Sequence, residues 1–442
     1  MDSGYKGKVL DVIKAQNLQV GDRILAKNEK VSFTGILMPR SALDDEMHII
    51  LKLDDGYNVG LAIDSLSLQK LPQEEIKAEQ PAFEERSDPS LPKVSIISTG
   101  GTIASKVDYK TGAVSPALTA MDLYQLVPEL GKIASIRTEI LFSLLSENIE
   151  PKNWASMARA VVGHVRDGAQ GIVITHGTDT MGYTAAALSF ALKGLPVPVV
   201  LVGSQRSSDR PSSDAYLNLK GAVLTAASAP FAEVCVLMHC SSSDGCLVAH
   251  RGTRVRKLHT SRRDAFESVN AQPLAKVEGG KIEVLGEYRK RSMGSSLEAK
   301  ATFDEDVVLI KSFPGVPTDL FDPIIHRDFH GIVLEGTGLG HFPSSSFGQI
   351  KRAIDGGMTV VMASQCIWGR VNMNVYSTGR ELLKLGVIPA SDMLPETALV
   401  KLMWVLGQTN DPAKIRSMFL ENMAGEISTR SEYIEKEEES SE

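Results

Sequence analysis

Residues 94–105 read VSIISTGGTIAS, and the fold of the chain turns on the change of character half-way along that stretch. Positions 94–98 are β-branched, apolar or small, the composition of a short buried strand, and the run then breaks into Thr99-Gly100-Gly101-Thr102. Two adjacent glycines admit backbone angles closed to other residues and let a ligand approach the main chain closely. The strand therefore delivers the Thr102 hydroxyl to a turn where something small can meet it. Residues 171–180, GIVITHGTDT, repeat the device with an apolar strand, a glycine turn, hydroxyls and now a carboxylate at Asp179. In an open α/β sheet, ligands bind beyond the carboxyl ends of the strands, so two such ends place Thr102, Thr178 and Asp179 on one crevice. His176 sits beside the second turn, but period-two alternation turns it to the opposite side of the strand from Thr175.

Working outward, strands alternate with helices from Lys93 onward. Strands are expected at 171–175, 197–202 and 233–239, with helices at 153–167, 182–192 and 215–227. Residues 246–260 read as a polar, basic connection, and 279–285 as a terminal strand pair. A second block follows, with strands at 307–312, 331–335 and 358–363 and helices at 344–355, 377–385 and 395–406. This rhythm implies mostly parallel sheets covered by helices. Before it, short alternating runs separated by Gly21-Asp22, Pro39 and Asp54-Asp55-Gly56 predict a small β-barrel. The expected division is a β-barrel docking domain at 1–71, a proline-rich acidic linker at 72–92, and a first α/β domain at 93–288. A linker at 289–302, a second α/β domain at 303–430 and an acidic tail at 431–442 complete it.

The composition of the 442 residues, 43% hydrophobic and 23% charged, is that of a soluble globular chain able to form more than one domain. A formal net charge of −7 argues against a surface devoted to nucleic acid, although basic residues cluster at 251–263. Four cysteines, Cys235, Cys240, Cys246 and Cys366, are too few and too scattered for a disulfide framework, which suits a reducing cytoplasm. No stretch approaches the roughly 18 apolar residues of a membrane span, and the amino terminus lacks the apolar core of a signal peptide. The expected location is cytoplasmic. His239, Cys240, Cys246 and His250 match no zinc spacing, so no metal is expected. The GTGLGHFP turn at 336–343 lacks a third glycine at the dinucleotide offset and carries a proline where a phosphate-binding helix would begin. Cys366 has neither a glycine-flanked elbow nor a following His–acid pair, against a cysteine nucleophile.

STGGTIAS at 98–105 and THGTDTM at 175–181 resemble the two signature motifs of the bacterial-type asparaginase and glutaminase family. The likeness extends through GSQRSSDRPSSDAYLNL (203–219), RVRKLHTSRRDAFESVN (254–270), GTGLGHFP and SQCIWGRVNMNVYSTGREL (364–382), nearly the whole of 93–430. It implies an α/β fold, a two-domain asparaginase-type body. By the resemblance, Thr102 is the nucleophile, and Thr178, Asp179 and Lys257 complete the catalytic set. Tyr109 corresponds to a mobile lid tyrosine, and Gly101, Gly177, Ser146 and Glu147 fall where substrate is gripped. Family members carry glutamine where this chain has Glu147.

The phrases GILMPR (35–40) and LKLDDGYNVG (51–60) further resemble the family of D subunits of archaeal glutamyl-tRNA(Gln) amidotransferases. That resemblance implies a glutaminase passing ammonia to an E-type partner subunit. The partner would bind the tRNA and use ATP and Mg, leaving this chain with no cofactor of its own. It also implies a homodimer within a heterotetramer. The alternative is a free-standing cytoplasmic L-asparaginase with an accessory domain.

Carboxamide hydrolysis by a threonine needs a base, and Lys257 acting through Thr178 is the candidate. To accept a proton the lysine must be neutral, its pKa brought from ~10.4 toward roughly 7 to 8. An acidic partner opposes that shift, so Asp179 is expected mainly to hold the substrate's ammonium group. Backbone N–H groups of the Gly100-Gly101-Thr102 and Gly177-Thr178 turns are the expected oxyanion donors.

Overall fold

The computed structural model describes residues 4–28, 31–40, 45–53, 57–72, 90–101, 105–107, 114–116, 127–206, 212–292 and 296–430. Helix Gly7–Ala15 precedes strands β1 (Arg23–Lys27), β2 (Ser32–Leu37), β3 (His48–Leu53), β4 (Asn58–Ala62) and β5 (Ser67–Lys70). They pair antiparallel in the order β4-β3-β2-β1-β5, the small β module expected of this end. Alternate residues turn inward, Ile24 and Ala26 from β1 and Ile49 and Leu51 from β3, so the strand period builds one apolar face. Val9 and Ile13, one helical turn apart, close that face from a helix the strand pattern did not announce. Among the described residues this core is self-contained, reaching from Tyr5 to Leu68.

The body opens with β6 (Lys93–Gly100), an antiparallel ribbon of β7 (Ser105–Val107) and β8 (Val114–Pro116), and β9 (Ser135–Leu144). β10 (Gly171–Thr175), β11 (Leu192–Lys193), β12 (Val199–Val202), β13 (Val234–His239) and β14 (Cys246–Arg251) follow. β15 (Val255–Lys257) and β16 (Phe266–Ser268) form a second ribbon, and β17 (Ala275–Glu278) and β18 (Lys281–Val284) a hairpin. Eight of these strands make one sheet, ordered β18-β17-β14-β13-β12-β10-β6-β9. It is parallel from β13 to β9 and antiparallel from β13 to β18. Helices Pro151–Arg166 and Met181–Ala191 cover the face bearing Ile172, Ile174 and Leu201, while Ala215–Ser228 covers the face bearing Val173, Val200 and Val202. Both faces are buried, which is why these strands read as continuous apolar runs.

After β19 (Glu298–Ala299), which pairs with β11, the second unit is a parallel sheet of β20 (Val307–Lys311), β21 (Gly331–Gly336), β22 (Thr359–Ser364) and β23 (Ile388–Pro389). Its helix Pro395–Leu406 is buried nearly throughout, and it packs on the alanine-rich helix Met181–Ala191, with Phe190 stacked on Trp404 at 6.2 Å between ring centroids. The two α/β units therefore share one apolar core. Within it Lys401 Nζ donates to Glu426 Oε1 at 2.5 Å, both side chains fully buried.

Two expectations are corrected and one strand is added. Residues 246–251, read as part of a polar connection, are the strand β14, inside the large sheet. Its Leu247 and Ala249 are buried, and the charges that follow at Arg251, Arg254 and Arg256 masked a short apolar run. β9 went unread because Arg137 and Glu139 interrupt its apolar positions, and it is held by main-chain pairing with β6 at a half-exposed sheet edge. Cys240 and Cys246 are joined in a disulfide across the short β13–β14 connection, with Cα atoms 5.6 Å apart, within reach of that bond. Counting cysteines could not see this, because the proximity is created by the unread hairpin. Among the described residues no helix is long and apolar enough to cross a membrane.

Candidate active site

β6 and β10 lie side by side and parallel, Ser98 opposite Thr175, so both glycine turns leave the sheet at the same edge. Thr99 Oγ1 donates to Thr175 O at 2.7 Å, tying the two strand ends together before the turns begin. The β6–β9 register shifts between Ser98 and Gly100, and Gly100 takes φ +111° with Leu144 O so near that a Cβ would lie 2.3 Å from it. At Gly101, φ is +81° and a Cβ would stand 2.6 Å from Gly177 N. The glycines are thus required by contact as well as by φ: the two turns meet backbone to backbone. A Cβ on Gly177 would in turn fall 2.7 Å from Ser146 Cβ, and Ser146 O accepts from Thr180 Oγ1 at 2.7 Å.

The lysine arrives from the far side of the sequence. Lys257 ends β15, and its Nζ donates to Thr178 Oγ1 at 2.9 Å and to Asp179 Oδ1 at 2.7 Å. Its side chain is 13% exposed, against 68% for Asp179. The ribbon is anchored by Arg254, whose buried guanidinium binds Asp392 Oδ2 at 3.0 Å, Gly425 O at 2.8 Å and Ser428 Oγ at 2.8 Å. The carboxyl-terminal unit thereby fixes where Lys257 can reach. Asp179, expected mainly to hold the substrate's ammonium group, is paired with Lys257 here, because consecutive residues Thr178 and Asp179 present both oxygens to one side chain.

His176 is fully buried, with Nδ1 2.6 Å from Gly177 O and Nε2 2.8 Å from Thr184 Oγ1. Burial pushes its imidazole down to about 4, so it is neutral at neutral pH. It faces the core, bonded to the buried Thr184. A third strand-end turn, 203–206 after β12, was quoted in the sequence without a role. Asp214, buried, accepts from Gln205 N at 2.9 Å and Arg206 N at 3.0 Å, and Asn218 Nδ2 donates to Gly203 O at 2.9 Å. The missed signal was a glycine directly after an apolar strand, the pattern used for the other two turns.

These pieces enclose a cavity of about 350 Å³. Gly101, Gly177, Thr178, Asp179 and Lys257 line it together with Ser146 and Glu147, which arrive on the turn after β9, and Ser204 and Gln205 from the third turn. Ser146 is buried and Glu147 exposed. Thr102 and Tyr109 lie outside the described residues. The sole grouping of potential metal ligands among the described residues is Asp304, Asp306 and His330, none of which lines this cavity. The arrangement presents a lysine, a hydroxyl and a carboxylate within one hydrogen-bonded set, beside peptide N–H groups, in a space sized for an amino acid.

Three family profiles match the chain: the asparaginase amino-terminal domain over 93–290, the glutaminase/asparaginase carboxyl-terminal domain over 306–419, and the GatD amino-terminal domain over 18–71. The D-type subunit of the glutamyl-tRNA(Gln) amidotransferase of Methanothermobacter thermautotrophicus is 51% identical across 96% of this chain and 98% of its own. That of Pyrococcus furiosus is 51% identical across 95% and 97%. Among solved structures, the thermostable L-asparaginase from Thermococcus kodakarensis superposes with a TM-score of 0.69 at 36% identity, covering 76% of this chain and 100% of its own. L-asparaginase I from Vibrio cholerae gives 0.67 at 30%, covering 77% and 100%.

Proposed function

The chain belongs to the asparaginase and glutaminase family and, within it, to the D subunits of glutamyl-tRNA(Gln) amidotransferases, and from that premise we propose that it hydrolyses the carboxamide of glutamine and yields the ammonia to a partner subunit. The ammonia then converts glutamyl-tRNA(Gln) to glutaminyl-tRNA(Gln) there. The observation that carries this reading is the 18–71 module joined to an asparaginase-type body, matched over nearly the whole length of such subunits. A free-standing L-asparaginase remains the competing activity for the body taken alone.

In the proposed chemistry, Thr102 Oγ attacks the carboxamide carbon and its proton passes through the Thr178 hydroxyl to Lys257. The carbonyl oxygen becomes an oxyanion held by turn N–H groups. Lys257 returns the proton to the leaving nitrogen, so ammonia departs and a glutamyl ester stays on Thr102. Water then attacks that ester with the same residues reversing roles, and glutamate leaves. Lys257 must be neutral at the first step to accept the proton. A substrate ammonium seated on Asp179 competes with Lys257 for the same carboxylate. Ser146 and Glu147, and Tyr109 as a lid, complete the grip on substrate. We assign no cofactor to this chain, ATP and Mg to the partner, tRNA contact mainly to the partner, a homodimer within a heterotetramer, and a cytoplasmic location.

The test measures glutamine hydrolysis and glutaminyl-tRNA formation by the full chain with and without an E-type subunit and glutamyl-tRNA. Hydrolysis stimulated by both is expected. A fast, saturated rate indifferent to partner and tRNA returns the reading to a free asparaginase.

A further inference from the structure

Beneath the candidate site runs a buried chain of hydrogen bonds whose polarity can be read from chemistry alone. Trp154 Nε1 lies 3.1 Å from Thr184 Oγ1, Thr184 Oγ1 lies 2.8 Å from His176 Nε2, and His176 Nδ1 lies 2.6 Å from Gly177 O. An indole N–H only donates and a carbonyl only accepts, so both ends are fixed. His176 must carry its proton on Nδ1, and its Nε2 must accept the Thr184 hydroxyl proton. Thr184 and His176 are fully buried and Trp154 is 7% exposed, so no water competes for these groups from the surface.

The last bond acts on the site. A trans peptide is planar and its C=O and N–H point in opposite directions. Holding Gly177 O toward the buried imidazole therefore turns the next N–H, that of Thr178, away from the core. Gly177 and Thr178 both line the cavity. Gly177 has no Cβ to resist rotation of its peptide, and a Cβ there would fall 2.7 Å from Ser146 Cβ.

We propose that Trp154, Thr184 and His176 are positioning residues that lock the Gly177–Thr178 peptide so that Thr178 N–H faces the reacting carbonyl as an oxyanion donor. This rests on the amide-hydrolysis reading above. The three side chains touch neither substrate nor nucleophile, and their effect is confined to a peptide orientation that matters when negative charge develops. Their loss therefore lowers kcat and leaves KM nearly unchanged.

The experiment compares the full-length chain, assembled with its partner subunit, carrying Thr184→Val, Thr184→Ser, Trp154→Phe, His176→Leu or His176→Asn. Glutamine kinetics are measured beside the histidine-ring 15N spectrum, with His176→Asn assigning the resonance. Thr184→Val should lower kcat by roughly tenfold or more with KM within twofold, Trp154→Phe by less, and Thr184→Ser should restore most of the rate. His176→Asn, which keeps a donor near the Nδ1 position, should outperform His176→Leu. The wild-type spectrum should show His176 protonated on Nδ1. Wild-type kcat in folded Thr184→Val, a loss expressed mainly in KM, or an Nε2-protonated His176 each overturns the proposal. If Thr184→Val does not fold, Trp154→Phe and the two His176 variants decide by the same criteria. A wild-type chain inert toward glutamine and asparagine in its complex sinks the hydrolase reading, whereas activity in the wild type with indifference to the Thr184 and His176 changes sinks only the positioning role.

Discussion

Two places in this molecule end parallel strands in glycine turns, yet they use their polar groups in opposite ways. Beyond β6, β10 and β12, the main chain is clamped from below, and Thr178, Asp179 and Lys257 remain at the cavity wall. Beyond β20, β21 and β22, the turns consume their own hydrogen-bonding capacity. Thr337 N donates to His341 O at 2.9 Å, Ser364 Oγ to Gly338 O at 2.7 Å, and Gln365 Nε2 to both Ser312 O and Glu335 O. A glycine turn at a strand end is thus a site only when its polar groups are left for a ligand. What leaves them so in the first unit is a set of buried side chains, Asp214, Asn218 and His176, that bond the turns from behind.

The contrast is broken most severely at the lysine. Lys257→Ala, Thr178→Val or Thr102→Ala should each lower glutamine hydrolysis by about a thousandfold or more, with melting temperature little changed. Gln365→Ala, at the corresponding place of the second sheet, should leave the rate within about twofold. A Lys257→Ala chain within tenfold of wild type would remove the lysine from the proton path.

The glycines sharpen the comparison. Gly101→Ala meets both φ +81° and a backbone atom 2.6 Å away, so it should displace the two turns and cost activity by roughly a hundredfold. Gly338→Ala also has a positive φ, +51°, but nothing within 4 Å, and should cost only about 1 kcal/mol of stability with activity kept. Equal effects of the two substitutions on kcat would erase the distinction between the regions.

Acid provides a third measurement. Burial holds His176 down to about 4 and His250 down to about 3, from an ordinary 6.5, and both belong to the first unit. A depressed folded value means that the unfolded chain binds the proton first. The stability contributed is complete above pH 6.5 and is lost as the pH falls through about 4 and then about 3. Unfolding free energy should therefore fall by roughly 1.4 kcal/mol per histidine per pH unit inside that window. His250→Phe should flatten part of the slope; denaturant titrations at pH 7, 6 and 5 with unchanged slope would argue that these imidazoles are already protonated or reach water.

Removing residues 1–71 should have the smallest effect on hydrolysis. Their apolar core, from Tyr5 to Leu68, is separate from those of the body, so the deletion should leave basal glutamine hydrolysis within about twofold while weakening co-purification with the E-type subunit. Loss of hydrolysis on truncation would mean that the module shapes the cavity.

Much of this was legible in residue order. The strand 171–175 and the helices 377–385 and 395–406 coincide with Gly171–Thr175, Ser377–Leu385 and Pro395–Leu406, because their apolar period and their proline or glycine boundaries are local properties. The strand β14 and the edge strand β9 escaped because charged neighbours obscured the first and pairing rather than patterning sustains the second. The Cys240–Cys246 disulfide escaped with β14, since only the hairpin brings the two cysteines together.

At the site, sequence alone determined that glycine turns with hydroxyls and a carboxylate follow two buried strands, and that the family motif singles out Lys257. Tertiary structure decided what those residues do to one another. The 79 positions separating Thr178 from Lys257 are spanned by a ribbon that Arg254 pins to Asp392, a contact between the two α/β units that no local pattern encodes. It also decided that Asp179 pairs with Lys257, that a third turn is held by Asp214, and that His176 is bonded between the Gly177 carbonyl and the buried Thr184 hydroxyl. Hydrogen bonds and charges act over a few ångströms of space, while sequence patterning reports only which face of its own element a side chain occupies.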